Sequence, residues 1–145
     1  MFDRDAATTE ILARLASQVP EIVYRDTAEN LDEEILRTCN TPATFVLIRI
    51  PSGLELVPGV KKQKQELEIV VGIVQQSVAQ GRSGALKGAK SLQTLGGKVM
   101  RALHWWQPTW ALEKVKFRGE EPPIRQGTRM GLEQKYSASI QETFS

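Results

Sequence analysis

The chain has 145 residues, 41% of them hydrophobic and 25% charged, with a formal net charge of +2. That size and balance fit one globular domain and exclude both a disordered tail and two full domains. A single Cys and a single His exclude an intrachain disulfide and leave too few ligands for an ordinary structural zinc site, so a hydrophobic core is expected to hold the fold unaided.

Asp3 and Asp5 stand where a signal peptide would be basic and then apolar, and no apolar run approaches the roughly 18 residues of a spanning helix. A soluble chain of the cytosolic type is expected. Residues 6–17 read as a helix, because Ile11, Leu12, Leu15 and Val19 recur on one stripe and Pro20 then stops the hydrogen-bond ladder. Residues 21–24 are a short strand candidate. Residues 28–37 follow as an acidic helix or turn with Leu31, Ile35 and Leu36 on its apolar side. Residues 44–50 are β-branched and aromatic and read as a strand. Residues 54–66 hold Pro58-Gly59 and then Lys61, Lys62 and Lys64, a pattern of an extended hairpin or a mobile loop. Residues 67–74 are apolar on both sides except at Glu68, which suits a central strand.

Gly81–Leu103 is the longest helix candidate. Leu92, Leu95, Val99 and Leu103 fall on one side at about 100° per residue, and Lys87, Lys90, Thr94, Lys98 and Arg101 gather on the other. Gly96-Gly97 inside it predicts either the close approach of another backbone, or a kink or early helix end. Trp105, Trp106, Pro108 and Trp110 form a turn. Residues 112–118 read as a strand with Val115 and Phe117 on one side and Lys114, Lys116 and Arg118 on the other. Residues 119–131 read as a long Pro/Gly/Arg loop. In the last strand Leu132, Tyr136, Ala138, Ile140 and Phe144 alternate with Glu133, Lys135, Ser137, Ser139, Gln141 and Thr143. With one long amphipathic helix between β pairs and no run of βαβ crossovers, the expected fold is a single α+β domain, a mainly antiparallel sheet packed against helices.

Charge is distributed unevenly. Residues 1–60 carry ten acids and five arginines, a balance of −5; residues 61–118 carry eleven cations and three acids, a balance of +8. Such poles suit nucleic-acid contact or head-to-tail association of copies, although each single charge is most simply a solvated side chain.

Enzymatic readings find little support. A nucleophilic site would have to be built on His104, which sits at a helix end where packing or a dipole contact is the simpler role. Cys39 reads as a small buried side chain. The segment from Gly84 to Ser91 lacks the adjacent Gly-Lys and the four-residue gap of a phosphate loop. Asp32, Glu33 and Glu34 diverge as sequence neighbours on a helix and offer no acid–base pair. No catalytic group, cofactor or metal site is expected. The cations Lys61, Lys62, Lys64, Arg82, Lys87, Lys90, Lys98 and Arg101 can follow phosphates without reading bases, and no helix-turn-helix or zinc-finger pattern accompanies them. The three tryptophans are more simply core or interface anchors than stacking platforms.

The helix at 6–17, the strand at 44–50, the stretch from Lys64 to Val74 (KQELEIVVGIV), the long helix to Leu103 and the final strand Tyr136-Ser-Ala-Ser-Ile140 together resemble the tail terminator proteins of tailed phages, closest to those of Mu-like phages and prophages. The resemblance spans nearly the whole chain and is one of pattern and order. It implies an α+β virion subunit, assembled in the host cytoplasm, that forms a ring of six copies on the completed tail tube. The ring would stop tube polymerisation, meet the sheath in contractile tails, and offer a surface to the head-side connector while DNA passes through its lumen without sequence-specific contact. The eight cations above are then candidates for the lumen or for contacts between subunits. A neck or head–tail connector protein, and a non-specific nucleic-acid-binding module, are the competing classes. Partner choice separates the first, and salt-sensitive DNA retention by the monomer separates the second.

Overall fold

The structure, a computed structural model, describes residues 2–29, 39–50, 59, 62–76 and 81–143, with the backbone alone for 81–90 and 142–143. Among these residues the order is α1 (Arg4–Gln18), β1 (Tyr24–Thr27), β2 (Ala43–Arg49), β3 (Lys62–Gln76), α2 (Gly81–Leu103), β4 (Lys116–Glu120), β5 (Ile124–Gln126) and β6 (Arg129–Thr143). One α+β domain results. The acidic helix or turn expected over 28–37 falls almost wholly outside the described residues.

Helix α1 starts where the Asp3 carboxylate accepts hydrogen bonds from the N–H groups of Asp5, at 3.0 Å, and Ala6, at 3.1 Å. Two of the helix's otherwise unpaired donors are thereby satisfied. Its buried stripe is Ala7, Ile11 and Leu15. The Val19 N–H donates to Leu15 O at the far end, and Pro20 follows.

The six strands form one sheet in the order β1-β2-β3-β6-β4, with β5 paired to β6. β1 and β2 are parallel and the remaining pairs antiparallel, so the sheet is mixed. Strands β3 and β6 are each 15 residues long and pair over their full length, from Lys62↔Thr143 to Gln76↔Arg129. That long ladder corrects the loop expected over 54–66. Its last five residues, Lys62 to Glu66, already belong to β3, because each finds a ladder partner on β6. The loop expected over 119–131 is corrected in the same way. Gly119 and Glu120 end β4, and β5 folds back onto β6 through a two-residue turn, Gly127-Thr128, where Gly127 takes a φ of +61° that glycine accepts without strain. The strand expected over 112–118 begins only at Lys116 and extends to Glu120, and the one expected over 21–24 begins at Tyr24. Ile22 is fully buried in a turn, with its N–H bonded to Val19 O, which delays sheet pairing by three residues.

One face of the sheet carries the main core. Val46 and Ile48 of β2, Leu67, Ile69, Val71 and Ile73 of β3, and Leu132, Tyr136, Ala138 and Ile140 of β6 are buried against α1 and against Leu92, Leu95, Val99 and Leu103 of α2. The two helices are tied where Arg14 Nε donates to Ala102 O at 3.0 Å. A smaller cluster of Ala28, Ala43, Phe45 and Val74 lies on the opposite face.

Gly96 explains the glycine pair inside α2. A Cβ built there would lie 2.9 Å from Leu132 Cδ2, 3.0 Å from Gln134 Nε2 and 3.3 Å from Glu120 Oε1, whereas at Gly97 the nearest atom is 4.0 Å away, at the end of Arg101. Side chains of β6 and β4, rather than another backbone, make the close approach. Alanine is favoured over glycine in a helix by about 1 kcal/mol. Gly97→Ala is therefore expected to raise the thermal midpoint, and Gly96→Ala to lower it, since Leu132 and Gln134 are both buried and cannot swing aside. Differential scanning fluorimetry of the two variants checks the opposite signs.

Candidate assembly interface

Of the eight cations singled out by the sequence, the four whose side chains are described, Lys62, Lys64, Lys98 and Arg101, are not gathered into one site. Lys62 and Lys64 lie near the start of β3 with exposed side chains, and Lys64 forms an ion pair with Glu113 of the same chain. Lys98 on α2 pairs with Glu21 at 2.7 Å, closing the helix against the turn before β1. Arg101 is exposed in the last turn of α2. Arg82, Lys87 and Lys90 belong to α2 by backbone position, and Lys61 lies outside the described residues.

Both pairs leave a trace in the carboxylates. Hydrogen bonding from Lys98 holds Glu21 below the usual carboxylate range, and hydrogen bonding from Lys64, with the charges of Lys64 and Lys116, does the same for Glu113. Groups lowered on folding stabilise above their ordinary value and lose that contribution as pH falls through the lowered one. Both pairs are solvent-exposed, so their role is orientation more than stability.

The sequence did not disclose the charged ladder across the sheet face away from the helices. Arg118 donates to Ser137 Oγ at 2.7 Å and approaches Glu66 at 3.6 Å, while Lys116 reaches Glu113 at 4.0 Å and Lys135 reaches Glu121 at 3.7 Å. A shallow hollow of about 450 Å³ lies among Lys64, Glu66, Glu113, Lys116, Arg118 and Ser139. At the β5 end the same face becomes apolar, with a groove of about 700 Å³ between Phe45 and Val74 on one side and Pro122, Pro123 and Ile124 on the other. The alternation of polar residues along β6 was the available signal. Their partners Glu121 and Arg118, 14 and 19 residues away, had none.

The tryptophans divide. Trp106 is half-buried beneath the Arg14 guanidinium, 5.4 Å from its ring centre, and Trp110 packs on Phe2 at 5.4 Å. Trp105 is 58% exposed and has a φ of +66°. His104 shares this corner. Its Nδ1 accepts the Phe117 N–H at 3.0 Å, which leaves the ring hydrogen on Nε2 and fastens the end of α2 to β4. The histidine therefore serves packing and hydrogen bonding at the helix end.

Among the described residues no group of three or more His, Cys, Asp or Glu is placed to hold a metal ion, and no helix is long and apolar enough to cross a membrane. Among the described residues, charged side chains cover broad surfaces and line the shallow hollow between Lys64 and Arg118. This is the build of a single α+β domain with broad charged surfaces.

The chain matches the family model of the phage tail terminator proteins over residues 1–143, and it belongs to that family. It is accordingly a structural component of the phage tail, a virion protein that acts in tail assembly, with tail tube and head components as its partners. No curated protein matches it.

Proposed function

We propose that the chain closes the tail tube as a ring of six identical subunits, stops tube polymerisation there, and presents the surface on which the head-side connector docks. The family match over residues 1–143 carries this reading. The charge asymmetry supports it, because a pole of −5 in residues 1–60 and a pole of +8 in residues 61–118 complement each other only through two different patches, and heterologous contacts of that kind close into a ring when the rotation between copies allows. The Mu-like branch, contact with the sheath in a contractile tail, and passage of DNA through the lumen belong to the same proposal, as does assembly in the host cytoplasm. Purified protein mixed with tail tube subunits is expected to give capped tubes of limited length and a cross-linked hexamer. Tubes that keep growing, or a two-fold dimer as the only form on mature tails, overturn the reading.

Within the ring, Lys61, Lys62, Arg82, Lys87, Lys90 and Arg101 face the lumen or a neighbouring acidic subunit, and Lys64 and Lys98 are held by carboxylates of their own chain. A lumen lined with lysine would hold DNA non-specifically and release it as salt rises, whereas a subunit contact steers association. Replacing Lys87 and Lys90 together by Gln keeps helix propensity, removes two charges and leaves the Lys98–Glu21 pair intact. The variant is expected to fold normally and to yield fewer tails that join heads and deliver DNA. An unchanged yield makes the stripe a solvated face.

A further inference from the structure

Two of the three tryptophans are packing groups and one is not. Trp106 lies under Arg14 and Trp110 against Phe2, but Trp105 is 58% exposed. A bulky side chain rarely adopts its φ of +66°, and such conformations persist where the surrounding structure overrides the strain. Here the Trp105 N–H donates to Val115 O at 2.8 Å, and the Val115 N–H donates to Trp106 O at 2.7 Å. The ring stacks on His104, with centroids 5.2 Å apart and planes 23° apart. His104 accepts the Phe117 N–H, so the exposed ring rests on a support that is itself tied to β4.

Lys114 joins this ring to the hollow on the sheet face. Its Nζ lies 5.8 Å from the Trp105 ring centre, and the same residue lines the hollow of about 450 Å³. Four cations border that hollow, Lys64, Lys114, Lys116 and Arg118, against two carboxylates, Glu66 and Glu113, which leaves an excess of two positive charges. The carboxylates hold three of the cations in place. Glu113 takes Lys64 and, at 4.0 Å, Lys116, while Glu66 lies 3.6 Å from Arg118. Among the described residues Lys114 has no carboxylate partner. The adjoining hollow of about 440 Å³ shares Glu66 and Arg118 and adds Glu68 and Lys135, which balance. The excess therefore lies at the end that Trp105 borders.

An excess of cations beside a displayed aromatic ring is the combination with which proteins hold unpaired strands, the cations following phosphates while the ring stacks a base. A duplex offers the same phosphates but keeps its base faces within its own stack, and would leave Trp105 unused. We infer that this corner binds single-stranded DNA without regard to sequence, with a base on Trp105 and the adjacent phosphates against Lys114 and the hollow. The inference goes beyond the ring reading and does not depend on it, because one purified subunit holds every residue involved.

The probe is an oligothymidine about twelve nucleotides long, within the span that one small domain covers, with the corresponding A·T duplex for comparison. In fluorescence anisotropy the purified protein is expected to bind the labelled single strand at least about fivefold more tightly than the duplex, the contribution of one stacked base. Tryptophan emission should fall as the unlabelled strand is added and hold steady with the duplex, because Trp106 and Trp110 are partly buried against the core. Log affinity for the strand should decline with log salt at a slope of about −2 to −3, as three or four cations displace its counterions. Glycine accepts a positive φ, so Trp105→Gly should keep duplex binding while its single-strand affinity falls to the duplex level. Lys114→Gln should weaken binding of both probes and flatten the slope by about one. Equal affinity for strand and duplex, or no binding of either, overturns the inference. So does emission that the strand leaves unchanged, a readout that needs no variant, or a Trp105→Gly protein that binds the strand as the wild type does. The ring reading is decided separately, by whether the wild type caps tubes.

Discussion

Ile140→Ala is expected to cost about 2–5 kcal/mol of folding stability, the range for removing a large aliphatic side chain from a packed core. Ile140 is 1% exposed on the face of β6 that meets the helices, in the same cluster as Leu92, Leu95, Val99 and Leu103. Tyr136, four residues nearer the middle of β6, shares that face and packs edge-on against Phe117 at 5.5 Å. Nothing else in the site can refill the volume, because α1 is fixed by Asp3 at its start and by Arg14 to α2 near its end. Ser139 lies on the other face, opposite Glu66, and its carbonyl bond from the Leu112 N–H does not depend on its side chain. Ser139→Ala should therefore leave the urea midpoint close to that of the wild type. Comparable losses in the two denaturant titrations would show that the alternation along β6 has been assigned to the wrong faces.

Much of this architecture was written in period and punctuation. Pro20 and the Ile11/Leu15 spacing mark α1, the long apolar face marks α2 to its final Leu103, and strict alternation marks β6. What pattern does not encode is pairing. Lys62 to Glu66 look like a polar loop until β6 supplies a partner for every residue, and Gly127-Thr128 is a two-residue turn only because β5 has β6 to fold onto. The glycine in that turn was a usable signal. Surface groups were less legible still. A stripe of lysines in sequence says nothing of Glu21 or Glu113, each of which claims a lysine from a remote element. The exposure of Trp105 depends on a backbone angle imposed by Val115 and His104, and no neighbouring residue announces it.

Gln134 should have the second large effect, and it tests whether the polar network around it in the core is a unit. The side chain is 1% exposed on the helix-facing side of β6. Its Nε2 donates to Gly96 O at 2.9 Å and to Glu120 Oε1 at 3.0 Å, and its Oε1 accepts the Tyr136 hydroxyl at 2.6 Å. Burial, reinforced by the nearby Glu120 charge, pushes the Tyr136 hydroxyl far above its ordinary range, so it remains a donor at every working pH. Gln134→Leu keeps the volume and removes that acceptor. Glu120 is exposed and can turn to water, but the Tyr136 hydroxyl cannot, and a buried donor left unpaired costs about 1–3 kcal/mol. Tyr136→Phe alone leaves Gln134 Oε1 short of a donor and should cost less, because Nε2 keeps both of its bonds. In the double variant neither orphan remains, and two apolar groups of the original shape meet where two polar ones did. It should be more stable than Gln134→Leu, with a coupling energy on the order of 1–2 kcal/mol in the double-mutant cycle. Simple additivity of the two single losses would mean that the Tyr136–Gln134 bond contributes nothing, and that Gln134 is held in the core by its bonds to Gly96 and Glu120.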